Sequence, residues 1–149
     1  MDMNTGRLAV RFVLRAAGAL VLGAGLTAVP ALAQDEAQLE TGKRVWSDAA
    51  CGNCHGPRGQ GGISIDFPRG PSLRTTGLDK ETMLGIIECG IPGTRMPAWL
   101  KGAYTEVECY GEPTGALPSG MTVPAAFTRE ELTALVEYIY ATFVQTPQQ

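Results

Sequence analysis

The residues best suited to chemistry lie in the stretch AACGNCHGPRGQGG, residues 49–62. Cys51 and Cys54 stand three positions apart, and His55, the only histidine of the 149-residue chain, follows directly. Cysteines at this spacing serve three kinds of site: a dithiol redox centre, a zinc site and a covalently attached haem. The rest of the sequence has to discriminate among these three.

Haem attachment fits this stretch better than zinc or dithiol chemistry. A structural zinc site needs four ligands, and the adjacent side chains of Cys54 and His55 diverge too far to bind one metal together. A thioredoxin-like pair would follow a strand in a βαβ unit, and no strand-rich run precedes Cys51. In a C-x-x-C-H motif the thiols bond to haem vinyl groups and the histidine binds the iron. The pattern favours one covalently bound haem c, with zinc and dithiol chemistry as the alternatives.

A second axial ligand of the iron has to be something other than histidine, because His55 is the only one. Beyond residue 33 the methionines are Met83, Met96 and Met121. Met83 lies in a stretch typical of a helix, where core packing is its ordinary role. Met96 lies in GIPGTRMPAW, residues 90–99, whose two prolines stiffen the chain enough to hold a thioether in place. The sequence favours Met96, and Met121 is the alternative.

The N-terminal residues 1–33 have the layout of a secretory signal peptide. Three arginines precede an apolar run of 14 residues, 16–29, and the small-residue pattern Ala-Leu-Ala ends at Ala33. A membrane anchor is the alternative, but a spanning helix needs about 20 apolar residues. We predict cleavage before Gln34, which leaves 34–149 as one domain in the periplasm with no stable membrane insertion.

The charge of the predicted mature chain excludes nucleic acid as a partner. Residues 34–149 contain nine basic and fourteen acidic residues, a net charge of −5. A nucleic-acid-binding surface needs a basic excess to neutralise phosphates. An acidic protein of this kind is expected to meet a positively charged patch on a protein partner.

Hydrophobic periodicity predicts an all-α fold with three main helices wrapped around one haem. Residues 38–50 and 79–89 have helical spacing, and Asp79 is a candidate N-cap. Thr128 and Glu131 form a T-x-x-E capping box before an apolar stripe that continues to Phe143. The glycine-rich stretch 56–76 predicts turns and no regular element. Such a long loop would be stabilised by packing against an apolar cofactor.

Two further cysteines remain: Cys89 ends the predicted middle helix, and Cys109 lies 20 positions further on, inside an extended loop at 100–127 before the C-terminal helix. Because thiols outside the cytoplasm are normally oxidised, we predict a Cys89–Cys109 disulfide. Two unpaired buried cysteines, or Cys109 bonded to a partner's cysteine, are the alternatives. The loop either shields the haem edge or docks a redox partner, and docking is favoured because binding residues concentrate on loops.

Several separated motifs together resemble those of the class I c-type cytochromes. CGNCH at 51–55 is the attachment motif, and GPSL at 70–73 resembles the segment whose proline carbonyl, here Pro71, accepts a hydrogen bond from the ligand histidine. GTRMPAW resembles the loop that carries the axial Met96. GKRVW and LVEYIY resemble the terminal helices. The resemblance covers most of 34–149 and implies a cytochrome c domain there.

The resemblance also implies contacts around the cofactor and between the terminal helices. These helices would cross through Gly42, Trp46 and Tyr138. Trp99 and Arg95 are candidates to contact a haem propionate, with simple packing and a solvated surface charge as the respective alternatives.

The expected function is one-electron transfer by a periplasmic monomer. With His55 and a methionine on the two faces of the haem, no open iron position remains, so the protein is an electron carrier and no enzyme. The donor would be a dehydrogenase or a quinol-oxidising complex, and the resemblance to class I c-type cytochromes implies a periplasmic quinoprotein alcohol dehydrogenase as one such donor. The acceptor would be an oxidase or another redox protein. A fixed haem subunit of a multi-protein oxidoreductase and a haem-based sensor are the alternatives.

Overall fold

The computed structural model describes residues 31–62, 64–124 and 126–145. It contains four helices: α1 (Ala31–Asp48), α2 (Cys51–His55), α3 (Lys80–Cys89) and α4 (Arg129–Thr142). The described residues form three isolated β-bridges and no strand. The predicted all-α class is confirmed. Most of the predicted signal peptide, residues 1–30, lies outside the described residues, and the predicted cleavage site before Gln34 falls in the first turn of α1.

Helices α1 and α4 cross at Gly42, and any larger residue there would force the two helices apart. A Cβ added to Gly42 would lie 2.1 Å from the carbonyl oxygen of Ala134 and 2.6 Å from Cβ of Tyr138. The absence of a side chain therefore lets the two backbones approach closely. Next to this crossing, Arg44 Nη2 lies 2.7 Å from Glu131 Oε1 and joins the two helices at their surface.

An aromatic cluster continues the same contact towards the interior. The ring of Trp46 lies 4.8 Å from that of Phe143 and 6.5 Å from that of Tyr138, measured between centroids. Tyr138 and Phe143 meet edge to face at 5.5 Å, a geometry that aromatic rings prefer. Val45, in the adjacent position of α1, is completely buried.

The starts of α3 and α4 are set by the residues that the sequence indicates. Asp79 accepts a hydrogen bond of 2.7 Å from the amide of Thr82, which satisfies one of the free donors of α3. Thr128 and Glu131 form the complete capping box of α4. The observed α3 and α4 therefore begin within one residue of their predicted starts. The one-turn helix α2 is an element that the sequence did not predict.

The loop between α2 and α3 has no regular secondary structure, but backbone hydrogen bonds hold it against α2. The amides of Gly61 and Gly70 donate to the carbonyl oxygens of His55 and Cys54, at 2.7 and 2.9 Å. These bonds fold the glycine-rich chain back over α2, as the turn-rich pattern of 56–76 predicted.

The 100–127 segment folds back on the end of α3. Cys89 and Cys109 form a disulfide with an S–S distance of 2.01 Å, which is the pairing expected from the sequence. Lys101 and Phe127 meet through a backbone hydrogen bond of 3.0 Å, so the two ends of the segment lie together. The predicted extended loop is thus joined to the end of α3 by the disulfide and closed at its base by the Lys101–Phe127 hydrogen bond.

Candidate functional site

One cavity collects nearly all the residues that the sequence singled out. Its volume is about 450 Å³, within the range of small-molecule and cofactor sites. All four helices and the two loops around residues 70 and 96 contribute to its wall. The large apolar side chains that line it are Trp46, Leu73, Leu78, Met83, Ile86, Ile87, Ile91, Met96, Trp99, Leu135 and Ile139.

Helix α2 presents the attachment motif to this cavity. Cys51 and Cys54 are three residues apart in a single helical turn, so they lie on one face of α2, and both line the cavity together with His55. The turn begins after Ala50, whose φ of 50° lies in the left-handed region. A non-glycine residue in this region is strained, which indicates that the surrounding contacts fix the start of α2.

The ring of His55 is held in one orientation. Its Nδ1 lies 3.0 Å from the carbonyl oxygen of Pro71. Because a carbonyl oxygen only accepts, Nδ1 carries the proton and Nε2 keeps a free lone pair, as metal ligation requires. A Cβ on Gly70 would lie 2.8 Å from Nδ1, so the backbone packs directly against the ring.

Two methionines line the cavity, and Met121 is not among the lining residues. Met83 is 4% exposed and belongs to the packed face of α3. Met96 is half-buried in a loop that a 3.0 Å hydrogen bond closes, from the amide of Ile91 to the carbonyl oxygen of Met96. Met121 is half-buried elsewhere against the core. Of the two methionines that share the cavity with His55, Met96 is therefore the one that lies on a loop and not on a packed helix face.

Charged side chains at the cavity are all positive. Among the described residues that line it, the ionised side chains are those of Arg69 and Arg95, both exposed. The sequence predicted Arg95 at this site but not Arg69, for which no local pattern gave a signal. Trp99 also lines the cavity and packs on Phe127, with ring centroids 5.9 Å apart.

The zinc and dithiol alternatives have weak support in this geometry. The described residues contain no group of three or more His, Cys, Asp or Glu side chains able to hold a metal. Cys51 and Cys54 are not bonded to each other. Burial raises the pKa of the Cys51 thiol to about 12, whereas a redox-active dithiol needs a lowered thiol pKa.

The donor set fits a covalently bound haem. Two thiols, an imidazole with a free Nε2 and a thioether border one apolar space, and the two arginines provide positive charge for carboxylates. A hydrophobic cavity with a few convergent polar groups is the usual form of a cofactor site.

The comparisons with known proteins agree with this assignment. The family model described as cytochrome c oxidase, cbb3-type, subunit III matches residues 37–111, a range that contains α2, the Pro71 loop and Met96. Comparison with curated proteins and with solved structures finds no match. The family implies haem c binding and electron transfer. On this match, and with the attachment motif at its centre, the chain belongs to the c-type cytochrome family described by that model.

Proposed function

We propose that this protein is an exported one-electron carrier that holds a single haem c covalently at Cys51 and Cys54. Each S–H would add across one vinyl C=C, the sulfur to one carbon and the hydrogen to the other, so that no oxidant is consumed. The observation that carries the proposal is that both thiols, His55 and Met96 line one apolar cavity.

His55 and Met96 are proposed as the two side chains that would bind the haem iron. The Pro71 carbonyl orients the imidazole and increases its basicity. Haem iron supplies reversible Fe(II)/Fe(III) chemistry, and a methionine ligand raises its reduction potential. The apolar wall would act in the same direction, because apolar surroundings disfavour the extra positive charge of Fe(III). If His55 and Met96 both bind the iron, no iron position would be left for a substrate, which favours a carrier over an enzyme.

The positive side chains at the cavity support a place for the haem propionates. Arg95 and Arg69 are proposed to pair with propionate oxygens at the edge of the cavity, and the indole N–H of Trp99 is proposed as a donor to them. Each such contact would pair a propionate charge with an exposed arginine at the edge of the cavity.

The physiological setting is proposed to be the periplasm. Cytochrome c domains typically work outside the cytoplasm, and the sequence of 1–33 has the layout of an export signal. Among the residues that the structure describes, none forms a helix long and apolar enough to cross a membrane. The proposed donor is a periplasmic dehydrogenase or a quinol-oxidising complex, and the proposed acceptor is an oxidase.

A second candidate function is a fixed haem subunit of a membrane oxidoreductase. The description of the matching family model, an oxidase subunit, favours it. The two candidates differ in how the protein occurs: a carrier is recovered as a free monomer, whereas a subunit is recovered with the other chains of its complex.

One set of measurements distinguishes these functions. The purified haem-loaded protein should titrate as one reversible one-electron couple, elute as a monomer from a mild periplasmic extract, and leave carbon monoxide unbound when reduced. Recovery only from the membrane fraction with partner chains would favour the subunit. Ready binding of carbon monoxide would favour a sensor with a weak sixth ligand.

Docking of a partner is proposed to involve the exposed carboxylates of the 100–127 segment. Glu106, Glu108 and Glu112 are exposed, and Tyr110 beside them is 57% exposed. Deleting the segment would also remove the buried Tyr104, so surface changes are the cleaner test. Replacing the three glutamates by glutamine should slow electron transfer from the donor enzyme at low salt. An unchanged rate at every salt concentration would contradict docking there.

A further inference from the structure

The 100–127 segment is tied to the two residues that precede the Met96 loop. The hydroxyl of Tyr104 donates to the carbonyl oxygen of Cys89 at 2.9 Å. The hydroxyl of Tyr110 donates to the next carbonyl oxygen, that of Gly90. The disulfide joins Cys89 itself to Cys109. Three connections from one segment thus converge on a single dipeptide at the end of α3.

Tyr104 and Tyr110 each make their hydrogen bond from a strained backbone conformation. Tyr104 has a φ of 65° and Tyr110 a φ of 57°, in the left-handed region that L side chains rarely adopt. Such a conformation costs on the order of 1–3 kcal/mol and persists only where the surrounding structure over-determines it. The side chain of Tyr104 is 2% exposed, so its hydroxyl has little access to competing water. The positions of these hydroxyls are therefore fixed by the fold.

The position of Gly90 in turn fixes that of Met96. A Cβ on Gly90 would lie 2.8 Å from the carbonyl oxygen of Met96 and 2.6 Å from the carbonyl carbon of Pro97. The next residue, Ile91, donates its amide to the same Met96 oxygen at 3.0 Å. A displacement of Cys89 or Gly90 would consequently move the backbone of Met96.

We propose that the 100–127 segment is a brace that positions Met96, acting through Tyr104, Tyr110 and the Cys89–Cys109 disulfide. The inference rests on the proposed role of Met96 as an axial ligand. None of these four residues lines the haem cavity. They act by limiting how far the Met96 loop can move away from the cavity. Loosening the brace makes the sulfur easier to displace from ferric iron.

The test compares three loosened proteins with a matched control. Tyr104→Phe and Tyr110→Phe each remove one hydroxyl, and the double variant Cys89→Ala/Cys109→Ala removes the covalent connection. Thr105→Val is the control, because its hydroxyl also donates to a backbone carbonyl, that of Gly102 at 3.2 Å, but within the 100–127 segment and not to Cys89 or Gly90. All four proteins are loaded with haem before measurement.

The measurements are the apparent affinity of the ferric protein for free imidazole and the absorption band that arises from sulfur-to-iron charge transfer. One lost hydrogen bond corresponds to about a two- to tenfold increase in imidazole affinity. We expect that increase for Tyr104→Phe, a smaller one for the more exposed Tyr110→Phe, the largest for the disulfide variant, and none for Thr105→Val. The charge-transfer band should disappear at correspondingly lower imidazole concentrations.

Two other results would overturn the proposal in different ways. If the loosened proteins melt at lower temperature but bind imidazole as the wild type does, the segment only stabilises the fold. If the wild type itself lacks the sulfur-to-iron band, Met96 is no ligand and the proposed haem ligation fails together with the brace.

Discussion

His55 and Pro71, sixteen residues apart in the chain, meet through a hydrogen bond of 3.0 Å between the ring Nδ1 and the main-chain carbonyl oxygen. Gly70 lies flat against the same ring, with space for no side chain. The loop after α2 therefore returns to the cavity at the point where it can orient the histidine. Through this hydrogen bond, the position of the Pro71 carbonyl would set how basic the His55 imidazole is as a ligand of iron.

The Gly70 contact leads to the first prediction. Gly70→Ala would place a methyl group 2.8 Å from Nδ1 of His55 and push the ring off the Pro71 carbonyl. A weaker imidazole donor stabilises Fe(III) less, so we expect the reduction potential to rise, as measured by a spectroscopic redox titration. The matched control is Gly77→Ala, because a Cβ at Gly77 meets nothing within 4 Å. Equal potentials in both variants would contradict this role of the loop.

The second prediction separates the two candidate methionine ligands. Met96→Ala should abolish the sulfur-to-iron absorption band and lower the reduction potential, because a thioether favours the reduced metal. Met121→Ala, which removes a half-buried thioether outside the cavity, should leave both unchanged. Survival of the band in Met96→Ala and its loss in Met121→Ala would reverse the assignment.

The third prediction concerns the crossing of α1 and α4. Gly42→Ala would place a methyl group 2.1 Å from the Ala134 carbonyl oxygen, and such overpacking typically lowers the free energy of unfolding by about 1–3 kcal/mol. Gly85→Ala in α3 is the control, since a Cβ there meets nothing within 4 Å. We expect it to raise stability by up to about 1 kcal/mol, through helix propensity. Urea unfolding of the haem-loaded proteins measures both changes, and equal stability of the two variants would refute the close crossing.

The fourth prediction follows from a buried carboxyl group. Glu88 is 6% exposed, and its Oε1 has no hydrogen-bond partner among the described residues. Burial raises the pKa of Glu88, and the positive charge of Arg129, 3.4 Å away, opposes the increase. A carboxyl whose pKa is higher in the folded protein destabilises the fold as the pH rises above the unfolded value of about 4.3.

Glu88→Gln should therefore raise the free energy of unfolding at pH 7, because glutamine carries no charge to bury. The gain should shrink towards zero below about pH 4, where the carboxyl is protonated in both states. Denaturant unfolding between about pH 3 and pH 8 measures this dependence. A gain that is independent of pH, or a loss of stability at pH 7, would show that the Arg129 contact dominates.

Local signals in the sequence predicted much of this architecture. Thr128 and Glu131 act within one helical turn, so their capping box could be recognised from spacing alone. The resemblance to class I cytochromes predicted the Pro71 carbonyl contact and the place of Gly42 in the helix crossing, and the structure contains both.

Other features depend on contacts that no local pattern encodes. The positive φ angles of Tyr104 and Tyr110 accompany hydrogen bonds from their hydroxyls to the end of α3, which lies fifteen to twenty residues earlier in the chain. Helix α2 is too short to give a periodic signal. Arg69 was missed because its position at the cavity depends on how the glycine-rich loop folds back, which is determined by backbone bonds to Cys54 and His55.

The measurement that tests the central claim most directly is the mass and colour of the exported protein. The wild type and the Cys51→Ala/Cys54→Ala variant would be produced in a host that attaches haem to c-type cytochromes, then denatured and extracted with acidified acetone. The account predicts that the wild type keeps its colour and carries the mass of one haem, and that the variant carries none. A colourless wild-type protein with the mass of the bare polypeptide would contradict it.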